Sequence, residues 1–561
     1  MLSRPTTRAL ALFLSIAAAG CQESTRPGGF LEPPPISARY VCGNGFDLEN
    51  HDSSRIIVHY QVAGTSEDGE LVLPASLDPH APQATRLVTL QTGSLRLSQG
   101  GAALDPVANE ATACPLPPDD EPLGKWTDPF PWPVVAVHLH LLPDGRVLSW
   151  GAVGEPQLWD PTTRTFTGVP SHTNLFCSGH AFMADGRLLV AGGHISLNHG
   201  LPDANLFDPL TQSWYSLPPM SRGRWYPTST ALPSGHVLTL AGRDENGDVV
   251  DLPEVWTGDR WLGLTGARRV LPYYPRMFVA PNGLVFYAGE LKETAYLDVA
   301  SPGRWIPVAS SNYGRRDYGS AVMYRPGRVM IVGGSDPPDG APTNTAELID
   351  LNDAAPVWRY TGAMTNARRH HDATLLPDGT VLVTGGTSSA GFSDPAGAVH
   401  ATELWDPVTE RWTVLASNRV TRVYHSTALL LPDGRVLLAG SGDGAQLPRE
   451  LTGELYSPPY LFRGPRPLIT GSISVMAFGG SYFVETPDAG RVVSASLLRL
   501  GSVTHGFDQN QRFLQLSIRR AVGGILLDTR VTNNLAPPGD YLLFIVNDAG
   551  VPSIARTIRV R

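Results

Sequence analysis

Short apolar runs rich in Val, Leu, Thr and Trp recur along the chain, separated by glycine, proline and Asp-Gly pairs. Apolar residues at helical spacing are scarce, so the pattern predicts many short strands joined by tight turns. The 58 glycines and 50 prolines punctuate those strands. The expected fold class is all-β.

From Trp126 the pattern repeats. A turn, a strand and one or two glycines return as LLPDGRVLSWG at 141, MADGRLLVAGG at 183, LPSGHVLTLAG at 232, APNGLVFYAG at 280, RPGRVMIVGG at 325, LPDGTVLVTGG at 376 and LPDGRVLLAG at 431. An aromatic-acid turn and a second aromatic follow in several units, as in LWDPTTRTF at 158 and LWDPVTERW at 404. A period of about 40 to 55 residues belongs to propellers. The units resemble kelch repeats, which implies seven four-stranded blades around a channel over residues 126–460. The repeat stops after Tyr460, and alternating runs over 465–561 predict a C-terminal β-sandwich. Residues 42–115 predict a smaller β-sandwich-like domain.

Composition narrows the partners. The 561 residues carry a formal charge of -9, lysine occurs only at 125 and 292, and the arginines are scattered. Phosphate backbones require a clustered positive field, so nucleic acid is excluded as the main partner. Arg4 and Arg8 precede an apolar run that ends in Ala-Ala-Gly-Cys at Cys21, the form of a secretory leader too short to span a bilayer. It resembles a bacterial lipobox, with Cys21 lipidated and the protein held at the cell envelope; ordinary cleavage and secretion is the other outcome. A Pro- and Gly-rich tether is expected over 22–41. Export places Cys42, Cys114 and Cys177 in an oxidising compartment. Cys42 and Cys114 either pair or remain free thiols, and Cys177 stands apart.

The stretch RVTRVYHSTALLLPDGRVLLAG from Arg419 to Gly440 sets Tyr424 and His425 side by side. Neighbours in a strand face opposite ways, so a pair sharing one ligand requires a loop or a strand end. Cys177 in NLFCSGHAF, Tyr226 in RGRWYPTS and His505 in GSVTHGFDQNQR complete a set that resembles the galactose oxidase and glyoxal oxidase family, the copper radical oxidases. In that family one copper ion is held by two tyrosines and two histidines, and one tyrosine is joined to a cysteine by a thioether. Carried over, the resemblance makes Tyr226, Tyr424, His425 and His505 the metal ligands, and Cys177 with Tyr226 the cross-linked radical cofactor. Imidazole nitrogen and phenolate oxygen suit Cu(II). The resemblance further implies that Tyr424 is the general base, the Tyr226 radical abstracts hydrogen, and dioxygen leaves as hydrogen peroxide. Small aldehydes or primary alcohols are the expected substrates of a monomeric enzyme.

Other positions are weaker. Arg222 and Arg224 could steer substrate or be solvated at a rim. Arg276 lies near the family's substrate arginine, and His370 with His371 is expected on a surface loop. Galactose oxidase places a Trp over the cross-linked ring just after a glycine pair, where this chain has Arg243 and Asp244. SRGRWYPTS resembles the glyoxal oxidase branch more closely. A galactose-type sugar alcohol oxidase, and a kelch module that only binds, are the alternatives.

Overall fold

The computed structural model describes residues 36–42, 45–73, 84–88, 93–109, 122–444, 447–529 and 531–561. The leader, Cys21, Cys114 and the Cys42 side chain lie outside them, and so does any Cys42–Cys114 pairing. The chain divides into two compact units at Pro115 and Leu116.

In the first unit Ile36–Cys42, Gly45–Asn50 and Ala84–Val88 form one antiparallel sheet. Asp68–Leu73, Ile56–Val62, Leu95–Gln99 and Ala102–Ala103 form the other. Phe46, Leu48, Val58 and Leu95 are buried between them. Period-two side-chain alternation carries one face of Ile56–Val62 inward and leaves the other in water. The tether expected as far as 41 therefore ends earlier. Ile36 is buried and begins a strand.

The second unit is a seven-bladed propeller followed by a sandwich. The innermost strands of blades 1 to 7 are His138–Leu141, Gly179–Phe182, Thr228–Ala231, Met277–Val279, Ser320–Arg325, Arg369–Leu375 and Ser426–Leu430. Blade 7 takes its outermost strand, Lys125–Trp126, from the start of the ring. This closure joins the two ends of the repeat within blade 7.

The repeated glycines have a packing reason. A Cβ on Gly192 would stand 2.2 Å from the carbonyl oxygen of Arg224, and one on Gly385 would stand 2.8 Å from that of Arg422. Each glycine thus admits the backbone of the following blade. The arginines reached in this way are buried against glutamates of their own blades: Arg224–Glu254 at 2.7 Å, Arg316–Glu347 at 2.8 Å, Arg368–Glu403 at 2.6 Å and Arg422–Glu454 at 3.1 Å. Arg224 is therefore a structural cation in the blade and is not exposed at a rim.

The C-terminal sandwich buries Val484, Leu497, Leu516, Ile525 and Leu543. Its adjacent strands Val492–Arg499 and Phe513–Ala521 are joined by a hairpin, Ser502–Thr504 with Phe507–Asp508, that leaves the sandwich and pairs with blade 1. Asp508 Oδ1 ties the hairpin together, accepting the backbone N–H groups of Ser502, Asn510 and Gln511 at 2.9, 3.0 and 3.0 Å. Thr504 donates to Val137 of blade 1, the Gln509 carbonyl accepts from His180 and Ser229 of blades 2 and 3, and Arg512 donates to Val279 of blade 4. Ser320 of blade 5 donates to Gly506, and Gln511 exchanges bonds with Ala373 and Leu375 of blade 6. The hairpin is thereby fixed on the propeller axis. Its tip carries His505.

Candidate metal centre

One repeat position supplies the side chains that meet on the axis. Where the chain turns into the inner strand, Cys177, Tyr226, Tyr274, Tyr318, His370 and His425 of blades 2 to 7 have φ of 65°, 66°, 45°, 49°, 58° and 69°. His505 at the hairpin tip has φ of 50°. A left-handed non-glycine residue costs on the order of 1–2 kcal/mol, and such strain gathers where a side chain must be aimed. Backbone bonds link the positions from blade to blade: Tyr226 N to Cys177 O at 2.9 Å, Tyr274 N to Tyr226 O at 3.1 Å and His370 N to Tyr318 O at 2.9 Å.

Blade 7 differs by one residue. From the buried arginine to the carbonyl it grips is 18 residues in blade 7, between Arg422 and Gly440, against 17 in blades 3, 5 and 6. The added residue sits at the strand entrance, outside the ladder. Tyr424 and His425 can therefore both face the axis, their rings stacked 3.7 Å apart.

The phenol oxygens of Tyr226 and Tyr424 are 2.5 Å apart, and Tyr226 Oη is 3.3 Å from His425 Nε2. The His505 ring lies 4.5 Å from that of Tyr226 and 4.6 Å from that of His425. Tyr226, Tyr424, His425 and His505 are each at most 6 % exposed. His425 Nδ1 faces the Gly442 carbonyl at 2.6 Å, so it carries the proton and Nε2 keeps its lone pair. His505 Nδ1 donates to Thr504 Oγ1 at 2.7 Å, because the threonine proton goes to the Val137 carbonyl at 3.0 Å. His505 Nε2 is then a buried lone pair with no partner. Such an orphan costs about 1–3 kcal/mol, and a cation at this point would remove that cost.

Burial sets the electrostatics. It pushes the phenols of Tyr226 and Tyr424 upward, holds His425 at about 3, and holds His505 well below the usual imidazole range. Two neutral imidazoles and two phenols in a dry pocket form a donor set that fits a copper-type ion, which would in turn lower the phenol pKa values.

Cys177 is fully buried and packs with Phe176, Trp225, Tyr226 and Tyr274. Burial raises its thiol pKa, with the Tyr226 hydroxyl pulling the other way. Behind it runs a directional chain of hydrogen bonds. Cys177 N donates to His138 Nε2 at 3.3 Å, so His138 Nδ1 donates to His180 Nε2 at 3.1 Å. His180 Nδ1 then donates to Ser502 Oγ at 2.6 Å, and Ser502 donates to His140 Nδ1 at 2.8 Å.

Several features were not anticipated from the sequence. The Trp225 indole stacks on the Tyr226 ring at 3.7 Å with planes 5° apart, so the ring absent at Arg243 is supplied by the residue before Tyr226. Tyr274 and Tyr318 also border the axis. A repeat signal marks Tyr318: it follows Arg316 by two residues, as Tyr226 follows Arg224 and Tyr424 follows Arg422. His370 and His371 are buried, not on a surface loop: His370 occupies that position in blade 6, and His371, the next residue, packs against Gly333 of blade 5. The His370 ring lies 4.2 Å from Tyr318 and 5.2 Å from Tyr424. Arg222 is half-exposed and pairs with Asp244, and Arg276 is buried, bonding Glu290 at 3.3 Å and the Gly319 carbonyl. A cavity of about 350 Å³ opens beside Tyr274, Tyr318 and His505.

Residues 466–560 match the galactose oxidase-like early set domain, 338–460 the glyoxal oxidase N-terminus, and 181–221 a kelch motif. The chain is similar to galactose oxidase of Gibberella zeae, 30% identical over 492 residues covering 78% of this chain and 71% of that one. It is similar to aldehyde oxidase GLOX of Vitis pseudoreticulata, 30% identical over 477 residues, 75% and 89% of the two chains. A solved structure described as a novel fungal alcohol oxidase with catalytic diversity among the AA5 family, in complex with copper, shares the fold. Its TM-score is 0.72 at 24% identity, over 78% of this chain and 99% of that chain.

Proposed function

Because the chain belongs to the galactose oxidase and glyoxal oxidase family of copper radical oxidases, and is a copper-dependent oxidase, we propose that it oxidises small aldehydes or primary alcohols with dioxygen to give hydrogen peroxide. The observation that carries this reading is the meeting of Tyr226, Tyr424 and His425 within 3.3 Å, beside the orphaned Nε2 of His505. Tyr226, Tyr424, His425 and His505 would hold the copper. Bound copper would supply a Lewis acid for the substrate oxygen and a one-electron acceptor.

The residues divide the remaining work. Tyr424 Oη takes the hydroxyl proton of the substrate as general base. Cys177 and Tyr226 join through a thioether, which enriches the ring in electrons and makes it easier to oxidise by one electron. Forming that S–C bond removes the thiol hydrogen and one ring hydrogen, with dioxygen as oxidant and hydrogen peroxide as its product. The oxidised Tyr226 then accepts a hydrogen atom from the substrate carbon. Trp225 and Phe176 keep water from the ring. An alcohol and dioxygen yield an aldehyde and hydrogen peroxide; a hydrated aldehyde and dioxygen yield an acid and hydrogen peroxide.

Mass spectrometry of a digest after exposure to copper and air tests the reading. A joined pair of peptides carrying Cys177 and Tyr226, together with peroxide from glyoxal, methylglyoxal or glycolaldehyde, is expected. A free Cys177 with no peroxide from any substrate would sink it. Oxidation of a sugar primary alcohol is the second reading, favoured by the indole of Trp225 on Tyr226, and galactose in the same assay separates the two. Export through the leader belongs to the proposal, and fatty-acid labelling distinguishes lipidation at Cys21 from release.

A further inference from the structure

The cavity beside His505 is lined by Arg243, Arg276 and Arg315, with Glu290 and Asp317 between them. Two of these cations are already committed. Glu290 takes Arg276 at 3.3 Å and also Arg315, while Asp317 takes Arg315 at 3.5 Å and also Arg369. Arg243 is different. It is half-buried, its Nε donates to the Tyr273 hydroxyl at 2.6 Å, and its Nη1 donates to the Gly247 carbonyl at 2.7 Å. Among the described residues no carboxylate forms an ion pair with it. The neighbouring Asp244 is turned to Arg222 and to the N–H groups of Asn246 and Asp248.

The backbone holds Arg243 in place. Arg243 and Trp225 exchange both backbone bonds, Trp225 N to Arg243 O at 2.7 Å and Arg243 N to Trp225 O at 3.1 Å. Tyr273, which fixes the guanidinium, packs edge-on against Tyr226 at 5.4 Å. The guanidinium therefore stands one aromatic ring and one hydrogen bond from Tyr226, with Nη2 making no hydrogen bond to a described residue. A pre-positioned guanidinium with an unused Nη2 binds a carboxylate by charge-assisted hydrogen bonding, and partial burial protects the interaction from salt. A cavity of about 350 Å³ accepts a small organic molecule.

We propose that Arg243 is an anion-recognising residue of this cavity and that the enzyme favours alcohols or aldehydes bearing a carboxylate at the end far from the oxidised carbon. The proposal rests on the oxidase reading above. With the carboxylate on Arg243 and the reacting carbon beside Tyr226 and His505, the two ends of the substrate are separated by the width of the Tyr273 ring. A short hydroxy acid cannot span that width. Glu290 and Asp317 are held by Arg276, Arg315 and Arg369, so the negative charges of the cavity wall are balanced without Arg243.

The test compares ω-hydroxyhexanoate with hexanediol, its neutral counterpart, in peroxide assays on copper-loaded protein. Calorimetric binding of hexanoate to copper-free protein provides a second readout. Wild type is expected to favour the hydroxy acid. In Arg243→Gln the ratio of kcat/KM for hydroxy acid over diol falls about tenfold to a hundredfold, mainly through KM. Hexanoate binding weakens in the same variant, and Arg243→Lys regains part of both. An unchanged ratio, or hexanoate binding indifferent to Arg243→Gln, overturns the proposal. Hexanoate binding that depends on Arg243, without peroxide from either substrate, supports the anion site and counts against the oxidase reading.

Discussion

Trp225 covers Tyr226, its immediate successor in the chain, with ring centroids 3.7 Å apart and planes inclined by 5°. Consecutive residues stack in this way because Tyr226 adopts a left-handed backbone, φ 66°. The indole is held by its Nε1–H on His194 Nδ1 at 3.1 Å. An electron-rich face on the phenol stabilises its one-electron oxidised form. Trp225→Phe is expected to raise the potential of that oxidation, read by redox titration of the copper-loaded protein. An unchanged potential would leave the indole with a packing role alone.

His505 carries the test of copper binding that is independent of turnover. His505→Leu removes the orphaned nitrogen, so copper-free protein should unfold at about the wild-type denaturant concentration. Copper affinity, by competition with a chelator, should fall more than about tenfold. Equal affinity in the two proteins would place the ion elsewhere.

Ser502 joins the sandwich hairpin to two histidines at 2.6 and 2.8 Å. Ser502→Ala leaves His180 Nδ1 without its acceptor and His140 Nδ1 without its donor in a dry interior. The expected loss is about 1–3 kcal/mol in urea unfolding. A fully stable variant would show that water replaces the hydroxyl.

Glu403 neutralises the buried Arg368 and accepts the backbone N–H groups of Thr365 and Asn366 at 2.6 and 3.1 Å. Glu403→Ala strands the guanidinium, at an expected cost of about 3–5 kcal/mol. Replacing both partners with apolar residues should recover much of that loss, measured as a double-mutant cycle.

Acid should destabilise the copper-free protein through its buried histidines. Burial holds His180 at about 3, and pushes His138 and His140 well below the ordinary 6.5. Between those values the unfolded chain binds more protons than the folded one. Stability is therefore full above 6.5 and falls as pH drops towards 3, by on the order of 5 kcal/mol for His180. Asp508, raised to about 6 by burial, works in the opposite sense: its contribution falls as pH rises from 3.8 to 6, by on the order of 3 kcal/mol. The lowered histidines, with His370, His371, His425 and His505 among them, outnumber the raised carboxyls Asp372, Asp378, Asp508 and Glu290. Urea unfolding should show stability declining from about pH 7 to pH 4, less steeply in His180→Asn. A flat profile would contradict the burial.

The sequence by itself determined the blades and named five residues that the structure brings into one cluster. Turn, strand and glycine signals are local, and a kelch unit repeats them whatever its neighbours do. Tertiary structure decided the rest. Nothing in the Lys125–Trp126 pair announces that it closes blade 7, because the pairing joins residues about 330 apart. His370 and His371 looked exposed because two adjacent polar residues before a turn usually are. His370 is buried because its blade position faces the axis, and His371 because it packs against Gly333 of blade 5. Trp225 was legible as a letter but not as a cover for Tyr226, since its aim depends on the left-handed turn between them. The path of the Ser502 hairpin into the channel was likewise hidden, being fixed by hydrogen bonds to six different blades. Local pattern fixes which residues can reach an axis. Only the closed ring decides which of them meet there.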